Sequence, residues 1–219
     1  MLARIKNALL ELYYSIIGPQ LRTPHGFLGR WIMGPILKSI NTRISNKTLV
    51  AMNIGPDQNV IDLGCGTGLA YEALKTTGHR TEFTGLDLSE VMINSCRRQF
   101  RKDVLAGKLK LVQANLEKIP LDSESYDHAL TVNTIYFWDN PDLVMAEIRR
   151  ILKPGASLAI SFRSAEKMAQ HPLEGNGFNS WSVYDVRYLM EKHGFFDLTH
   201  YEWDRDKFLD IHIVVGTKA

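Results

Sequence analysis

The sequence predicts an α/β fold, in which apolar strands alternate with amphipathic helices. Three observations support this prediction. A glycine-rich turn joins an apolar run to a helical pattern over 60–74, a second apolar run ends in Asp87, and strand and helix patterns keep alternating as far as residue 193. With 219 residues, of which 45% are hydrophobic and 23% charged, the chain suits one globular domain with a full core.

The distribution of charge and the number of cysteines indicate the cellular compartment of the protein. The net charge is only +2, but residues 1–56 hold seven basic residues against one acidic residue. Two cysteines make no disulfide framework, which indicates a reducing compartment. No apolar run approaches the length of a membrane span, and the first residues do not have the pattern of a signal peptide. We therefore expect a cytoplasmic protein, and we predict no oligomeric state.

The segment 1–54 is predicted to form a helical cover in front of a core at 55–219. Apolar residues recur at helical spacing over three stretches, which are 1–17, 27–40 and about 42–52, and Gly-Pro pairs interrupt the pattern at 18–19 and 34–35. The simplest interpretation is a cover that packs on the sheet with its basic residues in solvent. The alternatives are a lid over the ligand site, a patch for an anionic substrate, or peripheral contact with a membrane surface.

The glycine-rich turn is the main candidate ligand site. The residues that could contact a ligand there are Asp62 at the strand end and, in the turn itself, Gly64, Cys65, Gly66 and Gly68. Glycine lets the backbone approach a ligand closely, and the helix start beyond it offers unpaired N–H groups, so such a turn is typical of nucleotide binding. The dinucleotide pattern requires a third glycine at position 69, where Leu69 stands, and this disfavours NAD.

Two further strand ends add candidate contacts. A strand over 82–87 ends in Asp87, whose carboxylate could accept hydrogen bonds from both hydroxyls of a ribose, because neighbouring parallel strands end side by side. Ser89 then caps a helix predicted to run to about residue 106, and a third strand over 110–114 follows. The other candidate contacts at these two strand ends are Leu88, Met92, Asn115 and Leu116.

A fourth strand, over 128–132, leads into the densest aromatic cluster of the chain, Asn133-Thr134-Ile135-Tyr136-Phe137-Trp138. Open α/β sheets bind ligands at the carboxyl ends of their strands, so this cluster should face the glycine-rich turn. Aromatic faces attract cationic groups. Tyr136 and Trp138 are therefore candidate substrate contacts, whereas Phe137 is expected to be a plain core residue.

The remainder of the chain continues the alternation and ends in a strand pair. The predicted elements are a helix at 141–152, a turn at 153–155, a strand at 157–162, a helix at 182–193, and an antiparallel pair at about 197–203 and 210–216. The intervening loop at 163–180 is long, and long ordered loops are uncommon unless they are functional.

The motifs together resemble the class I S-adenosylmethionine-dependent methyltransferases. The resemblance rests on the Asp-x-Gly-x-Gly-x-Gly pattern from Asp62, on Asp87, and on the run EIRRILKPGASLAISF at 147–162. It covers roughly residues 55–218 and is nearest to the small-molecule enzymes of the quinone-biosynthesis type. It implies a Rossmann-like sheet of seven strands, mostly parallel with one antiparallel strand, and with helices on both faces.

The resemblance also implies S-adenosyl-L-methionine as the cofactor and gives each candidate contact a role. Asp62 and the turn would hold the methionine end, Asp87 the ribose, and Asn115 with Leu116 the adenine. Groups at Asn133 and Thr134 would lie near the methionine moiety. Where the family usually has Asp against the adenine, this sequence has Asn115, an amide that can still hydrogen-bond but lacks a charge.

The implied activity is methyl transfer by in-line displacement to a small or lipophilic acceptor. Such a reaction requires a base only if the acceptor must lose a proton. His25, His128 and His171 are candidates, but we assign none as a catalytic base, and we assign no metal site. The alternatives are an RNA or protein methyltransferase, a non-catalytic S-adenosylmethionine-binding protein, and an NAD-dependent enzyme. Nucleic acid is not expected as a partner, because no nucleic-acid motif is present.

Overall fold

The computed structural model describes residues 34–78, 81–165, 179–203 and 210–219. The predicted helix at 1–17, most of the loop at 163–180, and both His25 and His171 lie outside the described residues. The helices are α1 Gly34–Met52, α2 Leu69–Lys75, α3 Glu90–Gln99, α4 Arg101–Leu105, α5 Pro141–Ile151 and α6 Val183–Lys192. The strands are β1 Asn59–Leu63, β2 Glu82–Asp87, β3 Leu109–Gln113, β4 Tyr126–Val132, β5 Leu152–Phe162, β6 Phe195–Trp203 and β7 Ile211–Lys218.

The seven strands form one sheet in the order β3-β2-β1-β4-β5-β7-β6. β7 runs antiparallel to both of its neighbours, and every other pairing is parallel. This confirms the predicted sheet with one reversed strand. The strand order reverses direction between β1 and β4, which is the place where open α/β sheets bind their ligands.

Two apolar clusters lie on the two faces of the sheet. On one face Met145 and Ile148 of α5 are fully buried against β4 and β5. On the other face Ile44 of α1 and Tyr71 of α2 pack with Phe83 of β2. In α5 the buried residues recur at the spacing of one helix face, which is how a helix covers a sheet. None of the helices in the described residues combines the length and the apolar character needed to cross a bilayer.

The cover segment differs from its prediction where the structure describes it. We expected a break at Gly34-Pro35 and a new helix from about residue 42, but one helix, α1, runs from Gly34 to Met52. Proline is tolerated in the first turn of a helix, because the N–H that it lacks has no partner there. α1 packs on the sheet, and the Thr48 hydroxyl lies 2.6 Å from that of Ser161 in β5. The boundary at residue 54 stays a prediction.

Two other elements also differ from the sequence prediction. The helix expected to run from Ser89 to about residue 106 divides at Phe100, whose backbone leaves helical geometry while its buried ring packs edge-on against Tyr71. The turn expected at 153–155 lies inside β5, where Gly155 has a φ of 77° and the register with β4 shifts. The turn is thus absorbed as an irregularity of a longer strand.

Candidate cofactor site

The glycine-rich turn is held in place by the end of the neighbouring strand β2. The amides of Gly64 and Cys65 both donate to the Leu86 carbonyl, at 2.7 and 2.9 Å. The amide of Gly66 donates to Oδ2 of Asp87 at 2.8 Å. The turn is therefore fixed by a backbone carbonyl and a side-chain carboxylate at the end of β2.

The three glycines are required for different reasons. All three have positive φ, at 88°, 53° and 84° for Gly64, Gly66 and Gly68, a conformation that other residues rarely adopt. A Cβ on Gly64 would lie 2.3 Å from a Thr134 methyl carbon, and one on Gly68 would lie 2.7 Å from Sγ of Cys96. A Cβ on Gly66 would meet nothing within 4 Å. Gly64 and Gly68 are thus demanded by packing, whereas Gly66 borders open space that a ligand can enter.

Asp62 places a buried carboxyl beside this turn. It is 3% exposed, and no residue that the structure describes donates a hydrogen bond to its side chain. Burial, together with the nearby charge of Asp87, raises the pKa of Asp62 to about 8. A buried carboxyl without a donor is costly unless a ligand pairs with it. The group that suits it is a cation, such as the α-ammonium of an amino acid.

Asp87 lies at the end of β2, as predicted, but its carboxylate already has two partners in the protein. Oδ2 accepts from Gly66, and Oδ1 accepts from the amide of Ser89 at 2.8 Å. Burial raises the pKa of Asp87, and these two hydrogen bonds act in the opposite direction. Since a carboxylate has about four acceptor positions, Asp87 can still accept from ribose hydroxyls. The side chain thus connects the turn to the position expected for a ribose.

The end of β4 forms the facing wall of the crevice. Asn133 has a φ of 56°, and its side chain donates to Oδ1 of Asn41 in α1 at 2.8 Å. The Tyr136 hydroxyl donates to Oδ1 of Asn133 at 3.2 Å and accepts from the amide of Arg163. The Thr134 hydroxyl accepts from the Trp138 indole N–H at 3.2 Å. These hydrogen bonds fix the wall from three directions.

The extent of burial of the three aromatic residues of this wall differs from the expectation. Tyr136 and Trp138, the candidate substrate contacts, are 4% and 3% exposed and belong to the core, whereas Phe137 is only partly buried. The expectation that Phe137 would be the plainest core residue is therefore wrong. The reason is the 3-10 turn at Ile135–Phe137, which directs its first two side chains inward.

The remaining candidate contacts lie at the same edge of the sheet. Leu88 is 45% exposed after β2, and Met92 lies in the first turn of α3, which Ser89 caps as predicted. Asn115 is exposed beyond β3, where its side-chain oxygen accepts from the amide of Glu117 at 3.0 Å, and Leu116 packs against the core. Cys65 contributes only backbone, because its buried thiol lies against β2 and contacts Cys96. The cofactor roles of all these residues stay predictions.

His128, one of the candidate bases, is buried in β4. Its ring nitrogens lie 2.6 Å from the Ser157 hydroxyl and 2.9 Å from the Gln58 side-chain oxygen. It pairs with Val60 near the start of β1, which is the opposite end of the strand from Asp62. Both ring nitrogens thus have partners within the protein, which disfavours His128 as a base.

Sequence reasoning missed several residues that shape the site. Asn41 reaches Asn133 across 92 positions of the chain, and no local pattern announces such a contact. Thr131 donates to the Leu63 carbonyl at 2.8 Å and so ties β4 to the strand that carries Asp62. A threonine near the end of an apolar strand is a weak signal for this role. Cys96 and Phe100, which lie under Gly68, were assigned only to a helix.

Comparison with known proteins agrees with this geometry. Residues 61–160 match the family model described as a methyltransferase domain. The chain is 30% identical over 119 residues to an O-methyltransferase of Pyrenophora dematioidea, which covers 54% of this chain and 44% of that protein. It is 35% identical over 114 residues to a sterol 24-C-methyltransferase of Gibberella zeae, covering 51% of this chain and 30% of that protein. The chain thus spans less than half the length of these two relatives.

A solved structure shows the same fold at low identity. It is the complex between the Haloferax volcanii Trm112 methyltransferase activator and a putative methyltransferase, with a TM-score of 0.72 and 21% identity over 83% of this chain and 90% of that one. Residues 61–160 are therefore a methyltransferase domain, and the fold is that of the class I S-adenosylmethionine-dependent methyltransferases. S-adenosylmethionine is the cofactor of this class, and it fits both the Asp62 carboxyl, to which no described residue donates, and the open space at Gly66.

Proposed function

We propose that this protein transfers the methyl group of S-adenosylmethionine to a small, lipophilic acceptor. The observation that carries the proposal is the buried Asp62 carboxyl beside Gly66, because an α-ammonium group gives this carboxyl the partner that the described residues do not provide. Asp87 would hold the ribose, and its hydrogen bond with the Gly66 amide would fix the position of the turn relative to that ribose. Asn115 and Leu116 would border the adenine.

The cofactor supplies an activated methyl group on a sulfonium, so the protein's task is chiefly alignment. The rigid turn and the hydrogen-bonded end of β4 suit this task, since both are fixed by contacts within the protein. A base is needed only for acceptors that must lose a proton, and we assign none. The lipophilic acceptor is supported by the sterol 24-C-methyltransferase among the relatives. The cytoplasmic location and the absence of a nucleic-acid partner remain predictions.

Calorimetric titration with S-adenosylhomocysteine, S-adenosylmethionine and NAD tests the cofactor assignment. We expect micromolar binding of the two adenosyl compounds and none of NAD, and weaker adenosyl binding by Asp62→Asn. A panel of lipophilic hydroxyl and alkene acceptors with radiolabelled cofactor then tests transfer. Binding without transfer to any acceptor, including RNA and protein, would support a non-catalytic binding protein. Transfer to RNA or protein alone would contradict the lipophilic acceptor.

A further inference from the structure

Three side chains suited to a divalent cation converge where β6 ends and β7 begins. Donor atoms of Glu202, Asp210 and His212 all lie within 4.8 Å of one another. Glu202 lies directly opposite His212 in the pairing of β6 with β7, and Asp210 immediately precedes β7. Asp210 and His212 are each 7% exposed, whereas Glu202 is exposed. The cluster is therefore mostly enclosed by protein and reached from solvent on the Glu202 side.

The spacing within this cluster suits a shared ion. Oδ1 of Asp210 lies 3.1 Å from Nε2 of His212. Two ligand atoms about 2.1 Å from one tetrahedral ion are about 3.4 Å apart. The aspartate and the histidine could therefore bind the same cation after a shift of about 0.3 Å, and Glu202 is near enough to supply a third ligand.

The surrounding hydrogen bonds orient both buried ligands. The Ser164 amide donates to Oδ2 of Asp210 at 3.3 Å, and the Ser164 hydroxyl also bonds this oxygen, so that Oδ1 is turned toward His212. Nδ1 of His212 lies 3.0 Å from Nε2 of His200. Histidine ligands typically donate their second ring N–H to a neighbour, which fixes the tautomer. Donation from Nδ1 of His212 to His200 would leave the Nε2 lone pair for an ion.

We propose that Glu202, Asp210 and His212 form a binding site for a divalent transition-metal cation, with Ser164 and His200 as positioning residues. Two carboxylates and one imidazole suit zinc or manganese better than calcium or magnesium, which favour oxygen ligands. The three proposed ligands are not among the candidate cofactor contacts, which lie at the ends of β1, β2, β3 and β4, whereas this cluster lies where β6 pairs with β7. A bound ion would join β6 to β7 and so stabilise the outer strand pair.

Calorimetry of the tag-free full-length protein, stripped of metal with a chelator, tests the site. We expect saturable binding of one Zn²⁺, weaker binding of Mn²⁺, little of Mg²⁺, and a rise in melting temperature with Zn²⁺. Glu202→Gln should weaken Zn²⁺ binding by at least about tenfold, and His200→Ala by about 10–100-fold, the usual effect of losing a partner of a ligand. Glu82→Gln alters an exposed carboxylate on β2 and should bind Zn²⁺ as the native protein does.

The buried ligand variant His212→Gln should abolish binding, and circular dichroism shows whether it folds. If it does not fold, Glu202→Gln decides the question, because that side chain is exposed. Native protein that binds neither Zn²⁺ nor Mn²⁺ saturably would overturn the proposal, as would unchanged Zn²⁺ binding in Glu202→Gln. S-adenosylhomocysteine binding by the metal-stripped protein should persist, which separates this test from that of the proposed methyl transfer.

Discussion

Replacing Asp62 by asparagine tests the proposed cofactor site through stability and pH. The pKa of this carboxyl is about 8 in the folded protein, against 3.8 for an ordinary aspartate. A difference of about four pH units, at about 1.4 kcal/mol each, makes ionisation about 6 kcal/mol harder in the folded than in the unfolded chain. A carboxyl of raised pKa contributes stability that is fully present below pH 3.8 and is lost as the pH rises through about 8.

Asp62→Asn has no proton to lose at this position, so its stability relative to the native protein should increase with pH. We expect a gain, relative to acidic pH, of about 2 kcal/mol at pH 5 and about 4 kcal/mol at pH 7, measured by urea denaturation without ligand. Asp127→Asn is the opposite control. Burial raises the pKa of Asp127, but hydrogen bonds from Lys153 and Asn59 outweigh burial and lower it. Asp127→Asn should therefore be less stable than the native protein at neutral pH and equally stable at acidic pH.

Asp62→Asn should also bind S-adenosylhomocysteine more weakly than the native protein. Because Asp62 is mostly protonated at pH 7 but must ionise to pair with an ammonium, native binding should release close to one proton there, and Asp62→Asn should release none from this position. Calorimetry in buffers of different ionisation enthalpy measures this number. If the native protein and Asp62→Asn had the same dependence of stability on pH and the same affinity for the ligand, Asp62 would have neither the raised pKa nor the cofactor contact assigned to it.

Three other substitutions separate the roles of two turn glycines and of Asp87 at the end of β2. Gly68→Ala should lower the free energy of unfolding by about 2–4 kcal/mol in urea denaturation, because the new Cβ meets the Cys96 sulfur at positive φ. Gly66→Ala should cost only about 1 kcal/mol of stability but should weaken S-adenosylhomocysteine binding, and full affinity in this variant would contradict close approach of the ligand. Asp87→Ala should weaken that binding by about 1–3 kcal/mol in calorimetry, and unchanged affinity would exclude it from the ribose role.

Local patterns predicted the sheet because each strand carries its own signal. The apolar runs before Asp62 and Asp87 are buried strands, and the resemblance of the motifs supplied their order and the reversed strand. What the patterns missed depends on tertiary packing. Phe100 divides a helix because its ring has a buried neighbour in Tyr71, and that neighbour cannot be read from the helical spacing.

The candidate site was predicted as a set of residues but not as a set of interactions. The spacing from Asp62 to Asp87 located both carboxyls, yet only the three-dimensional arrangement shows that Asp87 holds Gly66 and that Asp62 lacks a donor among the described residues. Tyr136 and Trp138 were chosen because they are aromatic and near a strand end. Whether such rings point into the crevice or the core depends on one turn of backbone, and the sequence does not specify that turn.

The position of β7 between β5 and β6 has a consequence for how the molecule assembles. β6 precedes β7 in the chain but pairs with no other strand in the sheet that the structure describes, so β6 is joined to that sheet through β7 alone. A substitution that weakens β7 would expose the backbone edges of both β5 and β6, and unpaired edges promote aggregation.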